Sequence, residues 1–169
     1  MTLKLRQWQQ EALHKAMDWL VTKRADRHFL INAAPGAGKT LASCAIAKTL
    51  LDIGEVNRVI VIAPRSEIVS QWADDFHFVT QRHMARVTGA DGDIASLALD
   101  ICATWSAIQG LLPELQAVCK AEKTLVICDE HHHAAVEAAW GRGADGAFSD
   151  AAFVLGIFCL KVPPQSETS

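Results

Sequence analysis

Asn32-Ala33-Ala34-Pro35-Gly36-Ala37-Gly38-Lys39-Thr40 is the stretch whose reading decides the fold. The apolar run Phe29-Leu30-Ile31 precedes it, and a helix-compatible stretch, residues 41–51, follows. Strand, glycine-rich loop and helix in that order form a cradle for phosphate groups. Gly36 and Gly38 lack a Cβ, so the backbone can wind tightly and aim successive N–H groups into one concavity. The helix N-terminus behind the loop adds partial positive charge, and Lys39 adds a full one for the outer phosphates. The Thr40 hydroxyl can reach a Mg²⁺ ion. Ala33 stands where the general pattern has glycine, and the plain alternative is a Gly/Pro turn between strand and helix.

Around this loop, 169 residues suffice for one α/β domain with a proper core. Half the residues are hydrophobic and about a fifth are charged, as in ordinary globular proteins. A net charge of −3 argues against a broad basic face for nucleic acid, while leaving room for a local groove. No long uncharged apolar run suggests a membrane span, and the N-terminal residues do not read as a signal peptide, so the expected setting is the cytoplasm. Five cysteines are scattered without a C-x-x-C pair, which speaks for buried free thiols in a reducing compartment.

Leu5, Trp8, Ala12, Leu13, Ala16, Met17 and Leu20 recur at helical spacing, so an amphipathic helix opens the chain. Strand-like runs are expected at 29–31, 59–63, 100–103, 125–128 and 153–157. Helices are expected between them at 41–51, 66–76, 105–111, 113–120 and 134–140. Short runs apolar on both faces, alternating with helices, predict a parallel sheet covered on both sides. Ligands of such sheets sit at the carboxyl ends of the strands.

A second feature, this one acidic, lies at one such end. Leu125-Val126-Ile127-Cys128-Asp129-Glu130 is an apolar strand finishing in two carboxylates. Asp129 can hold Mg²⁺ through water opposite Thr40, and Glu130 can orient or deprotonate an attacking water. Phosphoryl transfer asks little more of a protein than positioning and charge neutralisation. His131-His132-His133 invites a metal-site reading, but adjacent residues point in different directions and no spaced ligand accompanies them. His131 is assigned instead to the nucleotide machinery, with His132 and His133 starting the next loop.

Together these stretches resemble the first RecA-like domain of superfamily 2 helicases, of the DEAD/DEAH-box and type III restriction-subunit kind, over about residues 3–157. The loop from Ala33 to Thr40 resembles motif I, where alanine commonly opens the motif, and Asp129-Glu130-His131-His132 resembles motif II in its DExH form. The resemblance implies a RecA-like P-loop NTPase domain, with a parallel β-sheet flanked by helices on both faces, that uses ATP and Mg²⁺ to drive movement along nucleic acid. Ala34, Pro35, Gly36, Ala37, Gly38, Lys39 and Thr40 would bind the nucleotide, Thr40 and Asp129 the metal, and Lys39, Asp129, Glu130 and His131 would be catalytic. Leu5-Arg6-Gln7-Trp8-Gln9 is similar to the element in which Gln9, with Arg6, reads adenine; a polar helix start is the alternative. Val61-Ile62-Ala63-Pro64-Arg65, followed by Ile68, Val69, Gln71 and Trp72, is similar to motif Ia, so Pro64 and Arg65 would touch a nucleic acid backbone, although the usual Thr-Arg order is absent. Ala103-Thr104-Trp105-Ser106 resembles a strand-contact motif with Thr104 facing a phosphate; Thr104 also reads as an N-cap, and both can hold. Trp72 and Trp105 are read as core aromatics rather than base-stacking platforms.

The departure lies after Ile157. The family continues with a "[ST]-[AG]-T-P" motif III, whereas Phe158-Cys159-Leu160-Lys161 stands here. The expectation is therefore a domain at 1–157 followed by an aberrant or disordered tail at 158–169, truncated before motif III, in the manner of a shifted reading frame. Turnover would then need a second RecA-like domain or a partner subunit to supply arginines. DNA is the expected nucleic acid rather than RNA, and no membrane partner is expected. Two other readings stay open: another P-loop ATPase class, and a non-catalytic remnant that binds nucleotide or a partner.

Overall fold

The computed structural model describes residues 4–33, 38–88, 100–130 and 150–159. Six strands form one sheet: β1 (His28–Ala33), β2 (Arg58–Ala63), β3 (Met84–Val87), β4 (Asp100–Thr104), β5 (Thr124–Glu130) and β6 (Phe153–Cys159). Their order is β1-β6-β5-β2-β4-β3, and every neighbouring pair is parallel. The helices are α1 (Gln7–Met17), extended by a wider π-helical turn at Asp18–Thr22, then α2 (Lys39–Asp52), α3 (Ser66–Thr80), α4 (Trp105–Gly110) and α5 (Leu112–Ala121).

Side-chain alternation along the central strands shows why both faces need cover. Val59, Val61 and Ala63 of β2 and Leu125 and Ile127 of β5 join a cluster with Leu20, Ile46, Leu50, Trp72 and Phe76. Ile60, Ile62, Val126 and Cys128, the residues between them, join a second cluster with Ile108, Leu111 and Leu115. Helices α1, α2 and α3 thus pack on one face and α4 and α5 on the other. A strand apolar on both faces is stable only in such a sandwich, because each fully buried Val, Leu or Ile side chain contributes about 1.5–3 kcal/mol.

The five expected strands all form. Each is longer than expected, β5 reaching Glu130 rather than 128 and β6 Cys159 rather than 157, and helix α3 continues to Thr80 rather than 76. Strand β3 was not anticipated, since four residues at a sheet edge, Met84-Ala85-Arg86-Val87, carry only one alternation of buried and exposed positions. Of the tail expected at 158–169, Phe158 and Cys159 instead close β6, and the remainder, like the expected helix at 134–140, lies outside the described residues. Among the described residues, no helix is long and apolar enough to cross a membrane. Cys44, Cys102, Cys119 and Cys128 are free and buried. Burial pushes the thiols of Cys44 and Cys102 well up and that of Cys119 to about 11.

The amino ends of the strands are fastened by Asp100, which is 3% exposed. Its Oδ1 accepts the Val59 N–H at 2.9 Å and its Oδ2 accepts Arg82 Nε at 2.7 Å. Arg82 Nη2 donates onward to the Asn57 carbonyl at 3.1 Å. One carboxylate therefore ties β4 to β2 and to the turn entering β3. Asp100→Ala leaves the buried Val59 N–H without a partner, whereas half-exposed Arg82 can turn to water. The expected cost is about 2–3 kcal/mol in urea-induced unfolding; a change below about 0.5 kcal/mol, the usual range of a surface substitution, would contradict this role.

Candidate functional site

Strand β1 delivers the chain to the carboxyl pole of the sheet. Residues 34–37, which include the candidate ligands Ala34, Pro35, Gly36 and Ala37, lie outside the described residues, as does His131. Beyond them Gly38 caps α2 with φ +85° and ψ 33°, a left-handed backbone suited to glycine. Lys39 and Thr40 occupy the first turn of α2, where N–H groups lack partners within the helix and the dipole is positive. Both side chains are half-buried.

Asp129 reaches the same point from β5. Across the sheet, Ile31 of β1 is level with Ile157 of β6, which is level with Asp129 of β5. The Lys39 ammonium bridges that gap, with Nζ 3.4 Å from Asp129 Oδ1. The other carboxylate oxygen, Oδ2, accepts the indole N–H of Trp72 at 2.7 Å. Asp129 is 6% exposed and Trp72 is fully buried. A buried carboxylate is tolerable only when its charge is matched and its lone pairs are used, and these two donors do both. Glu130 is the last residue of β5, its backbone opposite Phe158.

Gln9 ties α1 to this site. Its Nε2 donates to the Gly38 carbonyl at 2.9 Å, and its Oε1 accepts the Arg6 N–H at 2.7 Å. The amide thus acts first as a brace between the opening helix and the loop. One amide hydrogen and one carbonyl lone pair are left over. Ser43 Oγ donates to the Lys39 carbonyl at 2.9 Å, back-bonding the first turn of α2.

The two strand-contact elements lie side by side. Ala63 of β2 pairs with Thr104 of β4, so Pro64 and Arg65 leave the sheet beside Thr104. Arg65 is exposed and extended (φ −147°, ψ 156°) and caps α3 through its carbonyl, which accepts the Ile68 and Val69 N–H groups. Thr104 is buried, and its Oγ1 accepts the Ala107 N–H at 3.3 Å, so its capping role is realised. Trp105 is half-buried and packs on the second cluster. A cavity of about 590 Å³ lies at the opposite, amino pole, between the Arg24–Glu55 ion pair and Phe153.

Lys39 and Asp129 meet at the carboxyl pole, and the donor chemistry there suits a hydrated divalent cation beside phosphates. Asp129 and the Thr40 hydroxyl are hard oxygen donors, and Mg²⁺ needs only one or two protein ligands when phosphates and water complete its shell. The sequence places Trp72 among the core aromatics and does not announce its bond to Asp129. A tryptophan on the apolar stripe of a helix looks like core, and only its unsatisfied indole N–H hints at a polar neighbour.

The family description "Type III restriction enzyme, res subunit" matches residues 2–157. An uncharacterized protein of Mycobacterium tuberculosis is 32% identical over 157 residues, covering 90% of this chain and 25% of that protein. The mouse ATP-dependent RNA helicase DHX58 is 31% identical over 144 residues, covering 78% of this chain and 20% of its own length. The chain therefore spans about a quarter or less of these relatives. Among solved structures, the type ISP restriction-modification enzyme LlaGI, in complex with a DNA substrate mimic, superposes with a TM-score of 0.66 at 18% identity, over 92% of this chain and 17% of that one. The UvsW helicase of bacteriophage T4 gives 0.64 at 18% identity, over 92% and 52%. Both share the fold described above.

A Cβ at position 38 would lie 2.6 Å from Gln9 Nε2, on a backbone that L-residues adopt at a cost of about 1–2 kcal/mol. Gly38→Ala is expected to lower stability by at least that amount in thermal or urea unfolding. The added change Gln9→Ala should recover the steric part but not the backbone part. Full additivity of the two changes would show that Gln9 and Gly38 do not touch.

Proposed function

The chain belongs to the family of the type III restriction enzyme res subunit, and from that premise we propose that it is the ATP-binding half of a nucleic-acid helicase or translocase motor. The RecA-like fold and the nucleotide-binding character of the family underlie this reading. The observation that carries it is the Lys39–Asp129 pair, which joins the glycine-rich loop to the acidic strand end across β6.

ATP is proposed to place its phosphates at the N-terminus of α2, cradled by Ala34, Pro35, Gly36, Ala37 and Gly38. Lys39 then exchanges Asp129 for the outer phosphates, and Asp129, with the Thr40 hydroxyl, would hold Mg²⁺. The metal supplies charge neutralisation at the phosphates. Glu130 orients the attacking water and accepts its proton, and His131 stands beside it in the chain. Gln9 and Arg6 face the base, the amide of Gln9 offering the donor and acceptor it has left over.

Arg65, Pro64 and Thr104 form the proposed contact with a nucleic acid backbone, Arg65 supplying the charge. The LlaGI neighbour bound to a DNA mimic supports DNA, while the mouse relative is an RNA helicase; DNA is the proposed partner and RNA the comparison arm of the test. The domain proposed here covers residues 1–157, and a second RecA-like domain or a partner subunit is proposed to complete the catalytic centre. A cytoplasmic setting accords with four buried free thiols.

The test measures ATP binding and hydrolysis by the chain, with and without single-stranded DNA or RNA. Wild-type protein is expected to bind ATP and turn it over slowly, because an arginine supplied in trans is worth about 10³–10⁵ in rate. Lys39→Ala should remove binding and, because buried Asp129 loses its counter-charge, should also lower stability, so the comparison is made at a temperature where circular dichroism shows the variant folded. Equal ATP affinity in wild-type and Lys39→Ala would sink the reading, and fast DNA-stimulated turnover would remove the need for a second domain.

A further inference from the structure

We propose that Trp72 is a positioning residue: its indole N–H holds the Asp129 carboxylate in the orientation that receives the metal, both before and after Lys39 leaves for the nucleotide. This rests on the proposed role of Asp129 as a metal residue. The 2.7 Å bond from Nε1 to Oδ2 is the shortest contact that Asp129 makes among the described residues, against 3.4 Å to Lys39. The two donors also differ in mobility. Lys39 ends a flexible stem and its side chain keeps 17% exposure. Trp72 is fully buried, on the stripe of α3 that also includes Val69, Ala73 and Phe76. Its ring cannot turn without opening the core.

A carboxylate that loses one of two donors can pivot about its last bond, which has a broad, roughly two-fold profile. With Trp72 in place, the departure of Lys39 exposes Oδ1 alone, already aimed at the phosphate side, while Oδ2 stays occupied. Without the indole N–H, the carboxylate is free to pivot and leaves the metal a mobile ligand. Groups that orient a metal ligand from behind are typically worth about 10–100-fold in metal affinity. Trp72 also lies two turns beyond Arg65 on α3, so the helix that begins at the proposed nucleic-acid contact is the one that grips the carboxylate.

The test uses Trp72→Phe, which keeps an aromatic ring and removes the N–H. A fluorescent ATP analogue is titrated into the whole chain across a Mg²⁺ series and in EDTA. The expected result is a half-saturating Mg²⁺ concentration raised about tenfold or more, with metal-free nucleotide affinity changed by less than about twofold. An unchanged Mg²⁺ dependence, or a parallel loss of affinity in EDTA, would show a merely structural role and overturn the proposal. Failure of the wild-type chain to bind the analogue under any condition would remove the proposed function itself, and this role with it. If Trp72→Phe does not fold, ¹⁵N-indole NMR of the otherwise native chain decides. One exchange-protected indole N–H should shift in Asp129→Asn and stay protected when Mg²⁺ and nucleotide are added. No indole responding to Asp129→Asn would refute the assignment.

Discussion

Parallel pairing governs everything else in this molecule. When every strand runs the same way, every strand end of one kind arrives at the same pole, and each link between strands must cross a face of the sheet. Residues 39 and 129, far apart in sequence, meet through a single ion pair because their strands are separated only by β6. Arg65 and Thr104 become neighbours for the same reason, through the pairing of Ala63 with Thr104. The opposite pole, where β4 begins, is closed by Asp100 and Arg82. One end of the sheet is thus fastened by polar bonds to the backbone, and the other gathers side chains with exchangeable partners.

That division shapes the energetics of the carboxyl pole. Asp129 is buried, and an isolated buried carboxylate would cost several kcal/mol. Lys39 and Trp72 offset that cost in the ligand-free protein, so the site is already electrically balanced. On the proposed function, binding an anion there is an exchange of counter-charges rather than the filling of an empty positive pocket. The brace from Gln9 to the Gly38 carbonyl adds a mechanical counterpart, fixing the helix that opens the chain to the residue that ends the loop.

Much of this was legible beforehand. Gly38-Lys39-Thr40 after an apolar run announced a loop between strand and helix, and the apolar strand ending in Asp129 announced its counterpart. Burial on both strand faces could be read because residues 59–63 and 125–128 lack any polar alternation. What could not be read were the links made by single atoms. Asp100 reads as the one charge of an apolar strand run and Trp72 as core, so neither announces the bonds it makes. The role expected for Gln9 is to face a base, and nothing in the sequence announces its bonds to two backbone groups. Strand β3 escaped because an edge strand of four residues carries too little periodicity to separate from its turn.

The buried cysteines have a kinetic consequence. Cys102 and Cys128 sit in central strands, Cys44 in α2 and Cys119 in α5, so both faces of the sheet carry a thiol under cover. Reaction with a disulfide reagent needs thiolate and access, and burial withholds both. Each sulfur can therefore be modified only in the moments when its own layer opens. The order in which the four become labelled is a clock for local opening, written into the core itself: it would tell whether the face carrying α2 and α3, which also holds Trp72, parts from the sheet before or after the face carrying α5.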